Sequence, residues 1–168
     1  LINGPERVRS TDVQLDGNKL TVKMPGYQNR IEATYQDGRF EGTLFLLRPR
    51  GVVKELRLVA MPGEGWRIFP QPDAAPMDFS GRWALTYLDD DGKESAAVAE
   101  LKQEGYVING TVLRSSGDDR YIAGEARGDT LFLSRFDGGS AYLYLARLRW
   151  DGALKGDPDT AGGSQLTL

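Results

Sequence analysis

Apolar and polar residues alternate with a period of two along most of the chain, and glycine-containing pairs break the alternation at short intervals. A period of two puts successive side chains on opposite faces of an extended backbone, so each run predicts a strand and each break a turn. In the first half the predicted strands are Asp12 to Leu15, Lys19 to Met24, Arg30 to Gln36, Arg39 to Arg48 and Val52 to Ala60. Their turns are Asp16-Gly17, Pro25-Gly26, Asp37-Gly38 and Arg48-Pro49-Arg50-Gly51, where proline presets φ and glycine can supply a positive φ. In the second half strands are predicted at Phe79 to Leu88, Ser95 to Gln103, Tyr106 to Arg114 and Arg120 to Ala126. Thr130 to Phe136, Ser140 to Arg149, Ala153 to Lys155 and Ser164 to Leu168 follow. No helical period is sustained for more than one turn. The pattern therefore predicts an all-β antiparallel meander.

Between the halves, Phe69 to Phe79 reads FPQPDAAPMDF, with prolines at 70, 72 and 76. Proline cannot donate to a ladder, so this stretch is expected to be extended and unpaired. It divides the chain into a first β-meander over residues 1–69, a proline-rich linker over 70–78 and an eight-strand half over 79–168. The halves echo each other. Gly17 and Leu20 match Gly128 and Leu131 at one offset, and Asp37, Gly38 and Gly42 match Asp151, Gly152 and Gly156 at another. Duplication and convergent hairpin grammar both account for the echo. On the first account the first half lacks a counterpart of Phe79 to Gln103, and the chain reads as a piece of a longer precursor. The expected fold is a calycin- or lipocalin-like β-barrel in the second half, with a related, incomplete β-meander in the first.

The strand Ala141 to Ala146 is apolar on both faces, which predicts cover on both. In a closed barrel one face meets the interior, and the other must lie against a second sheet, a neighbouring domain or a partner. An eight-stranded barrel is either filled by side chains or holds one small ligand. Leucine, phenylalanine and tyrosine on both faces of Thr130 to Phe136 and Ser140 to Leu148 favour the filled interior.

Composition narrows the chemistry. Glycine is abundant, at 21 of 168 residues, as many tight turns require. The net charge of −3 gives no sign of nucleic-acid binding, which calls for a basic face. The chain has no cysteine and no histidine, which removes disulfides, thiol chemistry, imidazole bases and thiolate or imidazole metal ligands. The longest apolar runs, Leu44 to Leu47 and Ala141 to Ala146, fall far short of the roughly 18 residues of a membrane-spanning helix.

Few motifs suggest a site. Gly81-Arg82-Trp83 opens the eight-strand meander as lipocalin-type barrels open, with Trp83 as an end plug or simply a buried residue. Asp89-Asp90-Asp91-Gly92 clusters oxygens as a calcium loop does, but the closing bidentate acid would be Glu100, inside a strand, so a charged hairpin tip is expected. Arg127-Gly128-Asp129 reads as turn chemistry and Asn109-Gly110-Thr111 as a turn or bulge. Arg48, Arg50, Lys54 and Arg57 surround a hairpin tip and are expected to solvate and protect an edge. No carboxylate spacing predicts a hydrolytic pair, and no catalytic, cofactor or metal residue is assigned. The candidate ligand or partner contacts are the aromatic residues Trp83, Tyr121, Phe136, Tyr142, Tyr144 and Trp150.

Gly110-Thr111, GDDRYIAG (Gly117 to Gly124), GDTLFLSRFDGG (Gly128 to Gly139) and DGALKG (Asp151 to Gly156) carry a resemblance, as do LINGPERV (Leu1 to Val8) and the proline linker. Together they resemble the N-terminal β-rich module of bacterial TlpA-like thiol-disulfide oxidoreductases. The resemblance implies an exported protein of the periplasm or cell envelope, with a thioredoxin-like domain following this chain. It implies no cofactor and no catalytic residue within the module. The module's role would be to position that domain or recognise its client protein. DPDTAGGSQ (Asp157 to Gln165) departs from the aromatic-rich ending usual there, so no contact of those aromatics is transferred. The residues taken alone leave a second reading, a lipocalin-like carrier of a small apolar ligand.

Overall fold

A computed structural model describes residues 1–63, 65–73, 76–88, 93–148, 154–156 and 165–167. Among them every regular element is a β-strand except one 3-10 turn, Pro49–Gly51. The chain divides into two compact units, one of Leu1–Ile2, Arg7–Gly65 and Phe136–Ser140, the other of Asn3–Glu6, Trp66–Arg135 and Ala141–Leu168.

A small hairpin, β1 (Ile2–Asn3) with β2 (Glu6–Arg7), precedes the main sheets and has too few residues to show a period. The first unit is built on β3 (Val13–Asp16), β4 (Lys19–Lys23), β5 (Arg30–Gln36), β6 (Arg39–Leu47) and β7 (Val53–Ala60). These form one antiparallel sheet in chain order. At the β5–β6 turn Asp37 and Gly38 both have positive φ, 51° and 81°, the turn geometry that matches strand twist. Register then sorts the residues by face. Val13, Val22, Ile31, Leu44 and Leu56 form one apolar row across all five strands. Gln14, Thr21, Glu32, Thr43 and Arg57 form the matching polar row on the opposite face.

A buried Asn29 ties this unit together. Its Nδ2 donates to the carbonyls of Gly138 (2.7 Å) and Gly139 (3.1 Å), and its Oδ1 accepts the Leu47 N–H (2.7 Å). The turn at Phe136–Ser140 is closed from inside by Asp137, whose Oδ1 accepts the N–H groups of Gly139 and Ser140.

The second unit holds β8 (Gly81–Leu88), β9 (Glu94–Glu104), β10 (Val107–Arg114), β11 (Gly117–Arg127), β12 (Thr130–Phe136) and β13 (Ala141–Leu148). Two three-residue strands, β14 (Leu154–Gly156) and β15 (Gln165–Thr167), complete a ring in the order β10-β11-β12-β13-β14-β15-β8-β9. The six long strands make the curled wall, and β15 joins β14 through Lys155↔Thr167 and β8 through Thr86, Tyr87 and Leu88. The second half is thus an antiparallel, barrel-like meander of the strand count read from its period. Leu85, Ala97, Ala99, Leu101, Ile108, Val112, Ile122, Leu131 and Leu133 belong to one buried core.

One irregularity re-aims a strand. Gly110 pairs with Ile122 but Val112 pairs with Asp119, so β11 carries an extra residue, and Tyr121 takes a φ of +58°. This is a β-bulge, and it lies opposite the Asn109-Gly110-Thr111 break. Gly124 lies where neighbouring strands press close. A Cβ there would fall 1.7 Å from the Phe132 carbonyl oxygen, and one at Gly42 would fall 2.0 Å from that of Glu32.

Chain from the same unit covers part of the outer face of β11 and β12. The buried Glu125 carboxylate accepts the N–H groups of Ile68 (3.3 Å) and Phe69 (3.2 Å), and the Phe69 ring packs edge-on against Phe132. The described residues of the proline-rich stretch hold no strand, and Met77 N–H donates to Gly128 O and Gly128 N–H to Asp73 Oδ2. On β13 Tyr144 and Ala146 face the interior, while Leu143 on the other face is 46% exposed.

Gly124→Ala and Gly42→Ala should each lower unfolding free energy by about 1–3 kcal/mol, the usual cost of overpacking. Gly65→Ala, with no heavy atom within 4 Å, should change it by less than about 0.5 kcal/mol in the same urea titration.

Candidate functional site

Two ends and a lumen define what the second unit could bind. At one end Phe79, fully buried, donates its N–H to Gln103 Oε1 (2.9 Å), and Trp83 Nε1 donates to Phe79 O (3.0 Å). Gln103 Nε2 then donates to Met77 O and Gly105 O, so every polar atom of its amide is used. Trp83 thereby packs against the core.

Inside, side chains leave a void of about 20 Å³, bounded by Trp83, Leu85, Leu101, Val112, Tyr144 and Ala146 among others. Its surface is wholly apolar. A void that small admits about one water, and its apolar wall offers that water no partner. Sites for small molecules are typically some 300–1,000 Å³.

Toward the β10–β11 turn the interior changes character. Asp119, 6% exposed, accepts from Arg135 Nη1 at 2.7 Å, pairs with Arg114 and accepts the Tyr144 hydroxyl at 3.1 Å. Arg114 Nη2 also donates to Tyr144 Oη (3.1 Å). The Arg135 guanidinium lies 5.6 Å from the Tyr142 ring centroid, and the Tyr142 and Tyr144 rings are stacked at 6.3 Å. Both carboxylate oxygens of Asp119 are occupied by cationic donors and a phenol. Such a group neutralises and orients its neighbours.

The inward alternations Ile108, Gly110, Val112, Arg114 and Leu131, Leu133, Arg135 each end on an arginine at the same end of the barrel. That signal was available from the pattern. Asp119 was not, because it is three residues from the inward Ile122 and a regular strand would place them on opposite faces. The bulge at Tyr121 brings both inside.

Of the candidate aromatic residues, Trp83, Tyr142 and Tyr144 meet the barrel interior or its polar end. Tyr121 is 41% exposed at the bulge, and Phe136 ends β12 half-buried, within the first unit. Trp150 and Asp89-Asp90-Asp91-Gly92 lie outside the described residues.

The Arg-Gly-Asp turn is engaged by its own unit. Arg127 lies over the Phe69 ring at 4.7 Å, Gly128 is bonded on both backbone atoms, and Asp129 accepts from Thr130 Oγ1 (2.9 Å). Arg48 of the basic group donates to Ser140 Oγ (3.2 Å). Burial lowers the pKa of Arg67, against an opposing pull from Glu125, while its Nη2 donates to Asn3 Oδ1, Ala123 O (3.1 Å) and Ser134 Oγ (2.7 Å). Among the described residues no group of three or more Asp and Glu side chains could hold a metal ion.

Asp119→Ala should cost about 3–5 kcal/mol of stability, because it removes the buried carboxylate that two guanidiniums share. The triple variant Asp119→Leu, Arg114→Met, Arg135→Met should be more stable than Asp119→Ala in the same denaturant titration, since it removes the charges together.

Comparison with family models, with curated proteins and with solved structures returns no match to this chain.

Proposed function

We propose that this chain is a non-catalytic recognition module, the β-rich accessory part of an exported, TlpA-like thiol-disulfide oxidoreductase. In this role it positions a thioredoxin-like domain or holds that domain's client protein at the cell envelope. The observation that supports the reading is the void among the described core side chains, about 20 Å³. A barrel packed with its own side chains has its outer surface left for recognition. Exposed apolar positions there, Leu143 and Tyr121 on the second unit, supply the kind of contact a protein partner uses. Among the described residues no helix is long and apolar enough to cross a membrane.

Titration calorimetry of the purified chain against the thioredoxin-like domain of its own reading frame should give saturable heat. Absence of heat with that domain, and with its reduced and oxidised clients, would overturn the reading. Native mass spectrometry should show a bare chain mass. A retained small apolar adduct would instead favour the carrier alternative, a lipocalin-like barrel with an opened lumen.

A further inference from the structure

The first unit's sheet ends on β7, whose second edge has no strand partner among the described residues. The strand is eight residues long, and only Leu56 and Leu58 are half-buried; the other six residues are exposed. Long, exposed edges are usually blunted, because a row of free N–H and C=O groups templates pairing with another chain. Here the blunting is incomplete. Val53 and Val59 are 47% and 46% exposed, and no proline or bulge interrupts the strand.

The charges on β7 also differ from those of the rest of the sheet. Arg30 pairs with Glu32 and Arg39 with Glu41, each at 2.5 Å, and Lys23 pairs with Asp12 at 2.7 Å. Glu55 and Arg57 stand at the same spacing of two, yet neither makes an ion pair among the described residues.

The strand reads Val53-Lys54-Glu55-Leu56-Arg57-Leu58-Val59-Ala60, and the face carrying Val53, Glu55, Arg57 and Val59 is self-complementary when reversed about Leu56. Two copies set antiparallel about that residue place Val53 opposite Val59 and Glu55 opposite Arg57 on one face, and Leu56 opposite Leu56 flanked by Lys54 opposite Leu58 on the other. Each pairing occurs twice around the two-fold except the central one. Neighbouring registers are penalised. A one-residue slip would join the apolar face of one sheet to the polar face of the other. A two-residue slip would set Glu55 against Glu55, or Arg57 against Arg57.

We propose that β7 is a self-association edge, on which a second copy of this chain docks antiparallel about Leu56 to continue the five-stranded sheet into one of ten strands. The contact is isologous and therefore closes as a dimer rather than a fibre. Complementary cross-strand pairs supply the register, and main-chain hydrogen bonds supply the adhesion. Glu55 and Arg57 thus act as a register code, not only as protection of an edge. The inference stands apart from the proposed role in redox assembly.

Sedimentation equilibrium of the full chain should show a concentration-dependent rise in average mass from one chain to two and no further. Arg57→Glu or Glu55→Arg alone should weaken the dimer by about tenfold or more, since two attractive pairs become repulsive. The double exchange Glu55→Arg with Arg57→Glu should restore the wild-type constant, because reversal about Leu56 still opposes unlike charges. Circular dichroism should be unchanged in all three variants, as these side chains are exposed. A wild type that stays monomeric overturns the proposal. So does an average mass beyond two chains, or a double exchange no better than the singles.

Discussion

Closing a sheet of eight strands creates an interior whose volume is set by strand number and tilt, and side chains must fill it without a gap or a clash. That requirement organises the second unit. Large inward residues such as Leu85, Leu101, Ile108 and Ile122 share the space with small ones, Ala97, Ala99, Ala126 and Ala146, so that a single packed core results. Gly124 and Gly110 are small for the same reason, since a Cβ at either would strike the backbone of the neighbouring strand. The void within that core is about 20 Å³, and the proposed reading of the barrel as a scaffold rests on it.

A filled barrel still has ends, and each is closed with different chemistry. The Phe79 end uses one neutral amide, that of Gln103, to satisfy the backbone groups that an incoming chain brings. The other end uses charge. Burying Asp119 would be prohibitive alone, and Arg114, Arg135 and Tyr144 make it tolerable by direct contact. The arrangement depends on Tyr121 adopting a left-handed conformation, which for a bulky residue costs on the order of 1–3 kcal/mol. Asn3 helps to hold it there, its Nδ2 donating to Tyr121 O at 2.8 Å.

The two units manage their strand edges differently. In the second, β14 and β15 close the ring and so remove the edges. In the first the sheet is open, and its row of intrasheet ion pairs stops at β7. The same backbone that makes an open sheet vulnerable also makes it able to accept a strand, and side-chain charge decides which strand and in what register.

Much of this was legible from the amino-acid order because it rests on local physics. A period of two and the turn chemistry of glycine, proline and aspartate depend on neighbours a few residues apart. Hence β5 (Arg30–Gln36) and β12 (Thr130–Phe136) occur as read, and most other strands differ by only one to three residues at an end. Arg114 and Arg135 interrupt an apolar alternation, a local signal that was not among the expected contacts. What tertiary structure alone decided involves partners far apart in the chain. Asn29 meets carbonyls more than a hundred residues away, and Arg67 and Glu125 join across |i−j| separations above fifty in their bonds to β11 and its cover. No local preference encodes such meetings. The bulge that turns Asp119 inward belongs with them. It is one residue out of register, its position set by how β10 and β11 pair inside a closed ring, and a period read along one strand cannot reveal a mismatch between two.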